Sequence, residues 1–201
     1  MVLDMMVLSR NVKTALTAVA CLWVIFFLGI ILRQFWSVDI RFFGIQPREA
    51  EGLAGILFWP FLHGNIFHLL ANSFALFFLL LLSLVFFKKL TILALVIITL
   101  VGGGAVWVFA GRDTLHIGAS GLIFGLIGFM ISGGIFRKEL KALLLSGVVL
   151  FLYGGLLLTL LVRIPGISWY GHLFGFLAGV FAAWLTRAMG KSKATASTAR
   201  G

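Results

Sequence analysis

Six apolar runs, at about residues 14–32, 66–87, 91–110, 120–136, 142–162 and 170–187, dictate what this chain can become. Most have the roughly 17 to 25 residues that carry a helix across a bilayer core. With 62% hydrophobic and 11% charged residues, the composition is too apolar for a soluble domain. In hydrocarbon every backbone polar group must be satisfied internally, which leaves a helix bundle as the form these runs take. The expectation is an all-α, polytopic membrane protein with six spans.

The acidic residues are Asp4, Asp39, Glu49, Glu51, Asp113 and Glu139, and none lies inside an apolar run. Paired intramembrane carboxylates and an HExxH zinc helix are therefore both excluded. Cys21 stands alone, so no intrachain disulfide forms, and its expected role is that of a small packing residue. The formal net charge of +10 is spread over helix ends instead of being gathered on one soluble module, which argues for membrane topology and against nucleic acid.

Lys and Arg divide unevenly between alternate sides of the six runs. Arg10, Lys13, Lys88, Lys89, Arg137, Lys138, Lys141, Arg187, Lys191, Lys193 and Arg200 fall on one side, against Arg33, Arg41, Arg48, Arg112 and Arg163 on the other. The positive-inside bias then sets both termini in the cytoplasm. The division expected is a cytoplasmic segment 1–13, a membrane domain 14–187 and a disordered basic tail 188–201. The first run ends at Leu32-Arg33-Gln34 without a small-residue cleavage pattern and reads as retained. Residues 36–65 form the only long connection, too apolar for an ordinary solvated loop, and are expected to lie partly in the external interface.

Three polar groupings return to that external side. Ser120 opens the fourth run within Gly118-Ala119-Ser120-Gly121, where a helix start leaves amides unpaired and favours negative charge. His172 opens the sixth run, with Gly175 and Gly179 following on its own face. His68 and Asn72 sit one turn apart at the start of the second run. Gly121, Gly125 and Gly128 add a small stripe to the fourth helix, so the fourth and sixth can approach closely and bring a histidine base within roughly 3 Å of a serine hydroxyl. His68, Asn72 and the Ala119 and Ser120 amides could then donate to an oxyanion. Each residue also has a plainer reading: the glycines as ordinary helix packing, His68 as an interfacial side chain, Asn72 as polar glue between helices. His63 reads as structural, His116 as exposed or loop-bracing, and Asp113 as solvated.

Together, His68-Leu-Leu-Ala-Asn72, Gly118-Ala-Ser120-Gly121 and Gly171-His172 followed by Gly175 and Gly179 resemble the rhomboid family of intramembrane serine proteases. The resemblance covers all six spans and looks like the minimal bacterial or archaeal core, without a seventh helix or soluble domain. It implies a Ser120–His172 dyad, an oxyanion site of His68, Asn72 and the Ser120 amide, and transmembrane helices of other proteins as substrates, with no cofactor or metal. It also implies residence in a prokaryotic inner or plasma membrane. Phe124 matches a family position that often holds a tyrosine stacked on the catalytic imidazole. The Trp-Arg pair that some members carry in the first external loop has no clear counterpart among Arg41-Phe42-Phe43-Gly44, Pro47-Arg48-Glu49 and Trp59-Pro60. Two alternatives remain at the level of sequence: a noncatalytic homologue that binds membrane helices, and a small transporter using the same polar cavity.

Overall fold

A computed structural model describes residues 2–162 and 166–189. Helix α1 runs from Val2–Trp36, α2 from Gly52–Phe58, α3 from Ile66–Phe87 and α4 from Lys89–Ile97. A π-helical turn, Ile98–Gly102, carries α4 into α5, Gly103–Phe109, so the two form one span. Then follow α6, Ser120–Arg137, α7, Leu140–Leu157, and α8, Trp169–Thr186. The all-helical membrane bundle is as the sequence requires. The basic tail expected beyond 188 lies mostly outside the described residues, as does Arg163.

Five helical spans are long and apolar enough to cross a bilayer: Met5–Trp36, Ile66–Phe87, Lys89–Phe109, Ser120–Arg137 and Leu140–Leu160. The sixth apolar run becomes α8, which also has 18 residues, but glycines and His172 dilute its hydropathy. Its packing explains why it needs less apolar surface. It presses most extensively on α6, so protein replaces lipid around much of it. A Cβ on Gly175 would strike the Gly121 carbonyl, and one on Gly179 the Gly125 carbonyl, while one on Gly128 would lie 2.5 Å from the Phe176 carbonyl oxygen. Backbone approach of this kind is how helices associate where lipid tails offer no hydrophobic drive.

α1 and α7 stand at the periphery. α1 is held to α3 by the Trp23 indole, which donates to Ser73 Oγ at 3.0 Å. Cys21 faces outward from α1, so the packing role expected of it is corrected: its helix meets the bundle along another face. α7 leans on α6 through Ser146, whose hydroxyl reaches the Met130 and Ile131 carbonyls at 3.0 Å.

The long connection between α1 and α3 is itself folded. It contains a 3-10 turn, Ile40–Phe43, then α2 and a second 3-10 turn, Trp59–Phe61. Ile45 and Trp59 are fully buried and form a small core with Val106 and Ala110. Phe42, Phe43, Leu57 and Phe58 remain exposed, so the outer face of this connection is apolar.

Candidate active site

Three helix starts converge at one end of the bundle. α3 begins at Asn65, whose side chain accepts the His68 N–H at 2.9 Å, a capping contact that fixes the turn carrying His68 and Asn72. α6 begins with Ser120 itself, after a loop in which Gly118 takes φ +114. Only glycine fits there comfortably, because a Cβ would also come within 2.6 Å of His68 Cε1. α8 begins after Ser168, whose hydroxyl accepts the Gly171 N–H at 3.2 Å, one residue before His172.

Trp59 ties these starts together. Its carbonyl accepts the Gly118 N–H at 2.8 Å, and its indole fills the space where Gly121 would carry a side chain. A Cβ on Gly171 would lie 3.3 Å from the same ring. One buried aromatic therefore touches the residue after Ser120 and the residue before His172. A tryptophan between two loop prolines and phenylalanines gives no sequence signal of this role, since both of its glycine slots lie on distant helices.

A cavity of about 630 Å³ opens among the three helix starts, lined by His68, Asn72, Ser120, Phe124 and His172 together with apolar residues such as Ile117 and Ile167. Phe124 stacks on the His172 imidazole with ring centroids 4.1 Å apart and planes 10° from parallel. Among the described residues His172 Nδ1 is buried without a hydrogen-bond partner, so none of them orients the ring through that atom. Stacking and glycine packing do that instead. Among the described residues Ser120 and His172 make no direct hydrogen bond, although both face the same cavity. Catalytic hydrogen bonds are often longer in the substrate-free state and tighten on binding.

Asn72 is held from behind. His63 Nε2 receives the Asn72 side-chain amide at 3.0 Å and the Ala119 N–H at 3.5 Å, while His63 Nδ1 donates to the Phe61 carbonyl at 3.3 Å. Two donors on Nε2 require the neutral, Nδ1-protonated tautomer. Burial, together with the neighbouring His68, pushes the His63 pKa down to about 4, in keeping with that state. The Ala119 amide, expected at the oxyanion site, is therefore corrected: it turns toward His63 and away from the cavity. His63 is structural as read from sequence, but its task of holding Asn72 was not legible there. His116 is buried rather than exposed, and braces its loop through Thr114 and Ser168.

The fold is thus a polytopic helical bundle with a serine, two histidines and an asparagine lining one cavity where three helices begin. The rhomboid domain model matches residues 50–189, and the chain belongs to the rhomboid family, a family of intramembrane proteases. Among similar proteins, an uncharacterized protein of Mycobacterium tuberculosis is 40% identical over 153 residues, 72% of this chain and 64% of its own length. An uncharacterized Mycobacterium leprae protein is 36% identical over 183 residues, covering 87% of this chain and 71% of that one. YdcA of Bacillus subtilis, provisionally named a rhomboid protease, is 30% identical over 168 residues, 83% of each chain. The chain thus spans about 64% of the length of the tuberculosis relative.

Proposed function

We propose that the chain is an intramembrane serine endopeptidase that cleaves transmembrane segments of other proteins near the external face of a cell membrane. The observation that carries this reading is the meeting of Ser120, His172, Asn72 and His68 on one cavity at three helix starts.

In the proposed reaction neutral His172 removes the Ser120 hydroxyl proton as Oγ attacks a peptide carbonyl carbon. The carbonyl π electrons move onto oxygen, where Asn72, His68 and the Ser120 N–H donate to the developing charge. His172 then gives its proton to the leaving amine, and the amide C–N bond breaks to leave an ester on Ser120. Water attacks that ester with His172 again as base, releasing the acid and restoring the hydroxyl. Water reaches a cavity at the helix ends more readily than the bilayer centre, which favours this placement of the polar groups. A substrate helix must unwind locally, because its carbonyls are otherwise shielded by their own hydrogen bonds.

Purified protein reconstituted with a membrane-spanning test substrate supplies the test. Cleavage by the wild type, lost at least ~10³-fold in Ser120→Ala and in His172→Ala, is expected. A fluorophosphonate should label wild type and leave Ser120→Ala unlabelled. Equal cleavage by wild type and Ser120→Ala would overturn the reading.

A further inference from the structure

His116 lies four residues before Ser120, and Ser168 four residues before His172. Their side chains meet: His116 Nδ1 and Ser168 Oγ are 2.6 Å apart. On the other edge of the ring, His116 Nε2 lies 2.9 Å from Thr114 Oγ1, and the Thr114 hydroxyl donates to the Gly111 carbonyl. With its hydrogen spent there, Thr114 Oγ1 accepts from Nε2–H, and Nδ1 must accept from the Ser168 hydroxyl. Ser168 Oγ in turn accepts the Gly171 N–H that starts α8. Each donor in this chain has one acceptor. The backbone of His116 is tied as well, exchanging hydrogen bonds of 3.0 Å with Ile45 of the first external loop in both directions.

We infer that His116 is a positioning residue of the active site, latching the loop that delivers Ser120 to the N-cap of the helix that delivers His172. The cavity's two reacting groups stand on different helices and make no direct hydrogen bond, so their separation is set by what joins the helix starts. Gly121–Gly175 packing and the Phe124–His172 stack join α6 to α8 just inside the mouth, and Trp59 packs against both starts. At the mouth itself, the His116–Ser168 contact is a polar tie between these two segments, reinforced by the ring of Tyr170, whose centroid lies 6.4 Å from that of His116. Loss of the latch leaves both helices formed but lets the α8 start drift. Misplacement of about 1 Å is enough to cost as much as ~10²-fold in rate.

The inference rests on the dyad reading for its kinetic arm alone, and a second arm is independent of turnover. In hydrogen exchange on the folded protein, His116→Ala should speed exchange of the 167–173 segment about fivefold or more while α6 beyond its first turn is unchanged. Unchanged exchange in 167–173 overturns the latch whether or not the protein is a protease. In the kinetic arm, the rate of fluorophosphonate labelling should fall ~10-fold or more in His116→Ala and in Ser168→Ala, with the double variant no slower than the slower single. Ser168→Thr, which keeps the hydroxyl, should restore the wild-type rate. Losses that multiply in the double variant, or singles at the wild-type rate, overturn the inference. Where His116→Ala does not fold, His116→Gln, which keeps one donor and one acceptor in a planar group, is read in the same two assays with smaller effects of the same sign. Absence of labelling in the wild type would count against the protease reading and leaves the exchange result to decide the latch.

Discussion

Asn72 has two side-chain amide hydrogens, and His63 takes one of them, which leaves the other to the cavity. The pairing fixes the amide's orientation before any charge develops, and preorganised donors of this kind act chiefly on the transition state. Asn72→Ala is therefore expected to lower kcat by ~10²- to 10³-fold with KM little changed. A rise in KM at constant kcat would place Asn72 in substrate binding instead. His63→Ala should lower kcat in the same direction, because it frees the asparagine to rotate. The sequence disclosed the residue types of this arrangement through spacing along single helices. It did not disclose that His63 stands behind Asn72, or that Ala119 is drawn to His63, since both facts depend on how a loop folds over a helix start. Two buried loop histidines, His63 and His116, set a pH limit. Burial lowers His63 and His116 from the ordinary 6.5 to about 4, so the folded protein binds fewer protons than the unfolded chain between those values. Their contribution to stability is complete above about 6.5 and is lost as pH falls toward 4. Thermal midpoints in detergent should drop across that interval, and less steeply in His116→Gln. A flat profile would contradict it.

Helices α6 and α8 meet through glycines that lie along one face of each, and this element pairing was the most legible part of the fold. His172, Gly175 and Gly179 share a face by spacing alone, as do Gly121, Gly125 and Gly128. The bounds of α3 and α8 follow the apolar runs closely, whereas α1 extends well beyond its run because hydropathy marks the bilayer and not the helix end. The π-helical turn at Ile98–Gly102 left no periodic signature, and its position beside α8 becomes intelligible only from packing: a Cβ on Gly102 would lie 3.2 Å from the Phe174 carbonyl oxygen. Trp59 was hidden for the same reason. The glycine contact makes a prediction at this scale. Gly179→Val sets its side chain against the Gly125 carbonyl and forces α8 away from α6. Overpacking of that kind costs about 1–3 kcal/mol, so the thermal midpoint should fall, and labelling of Ser120 should slow even well below it. Gly147→Val on α7, where nothing lies within 4 Å of the Cβ position, serves as the control and should leave both unchanged. Equal effects at the two sites would show that glycine content and not helix approach matters.

For the molecule as a whole, the orientation in the membrane decides which compartment the cavity serves. Ser120, His172, His68 and Asn72 all sit at the end of the bundle where α3, α6 and α8 begin, and Lys88, Lys89, Arg137, Lys138 and Lys141 cluster at the turns between helices at the other end. The turns are short, with Lys88 at φ 53 between α3 and α4 and Lys138 at φ 57 after α6. Short, basic connections stay in the cytoplasm, so the proposed orientation exposes the cavity on the external face. A charged fluorophosphonate that cannot cross lipid should accordingly label Ser120 in intact spheroplasts expressing the wild type, at a yield unchanged by permeabilisation. Cysteines introduced for the test should agree: one replacing Arg112, in the loop before α6, should react with an impermeant maleimide from outside in a Cys21→Ala background. One replacing Lys138, after α6, should react only once the membrane is opened. The reverse pattern would mean that the chain enters the bilayer the other way and that hydrolysis, if it occurs, draws its water from the cytoplasm. Exchanging Lys88 and Lys89 for glutamine should weaken the asymmetry without abolishing it, because the basic residues around the α6–α7 turn still hold that end inside.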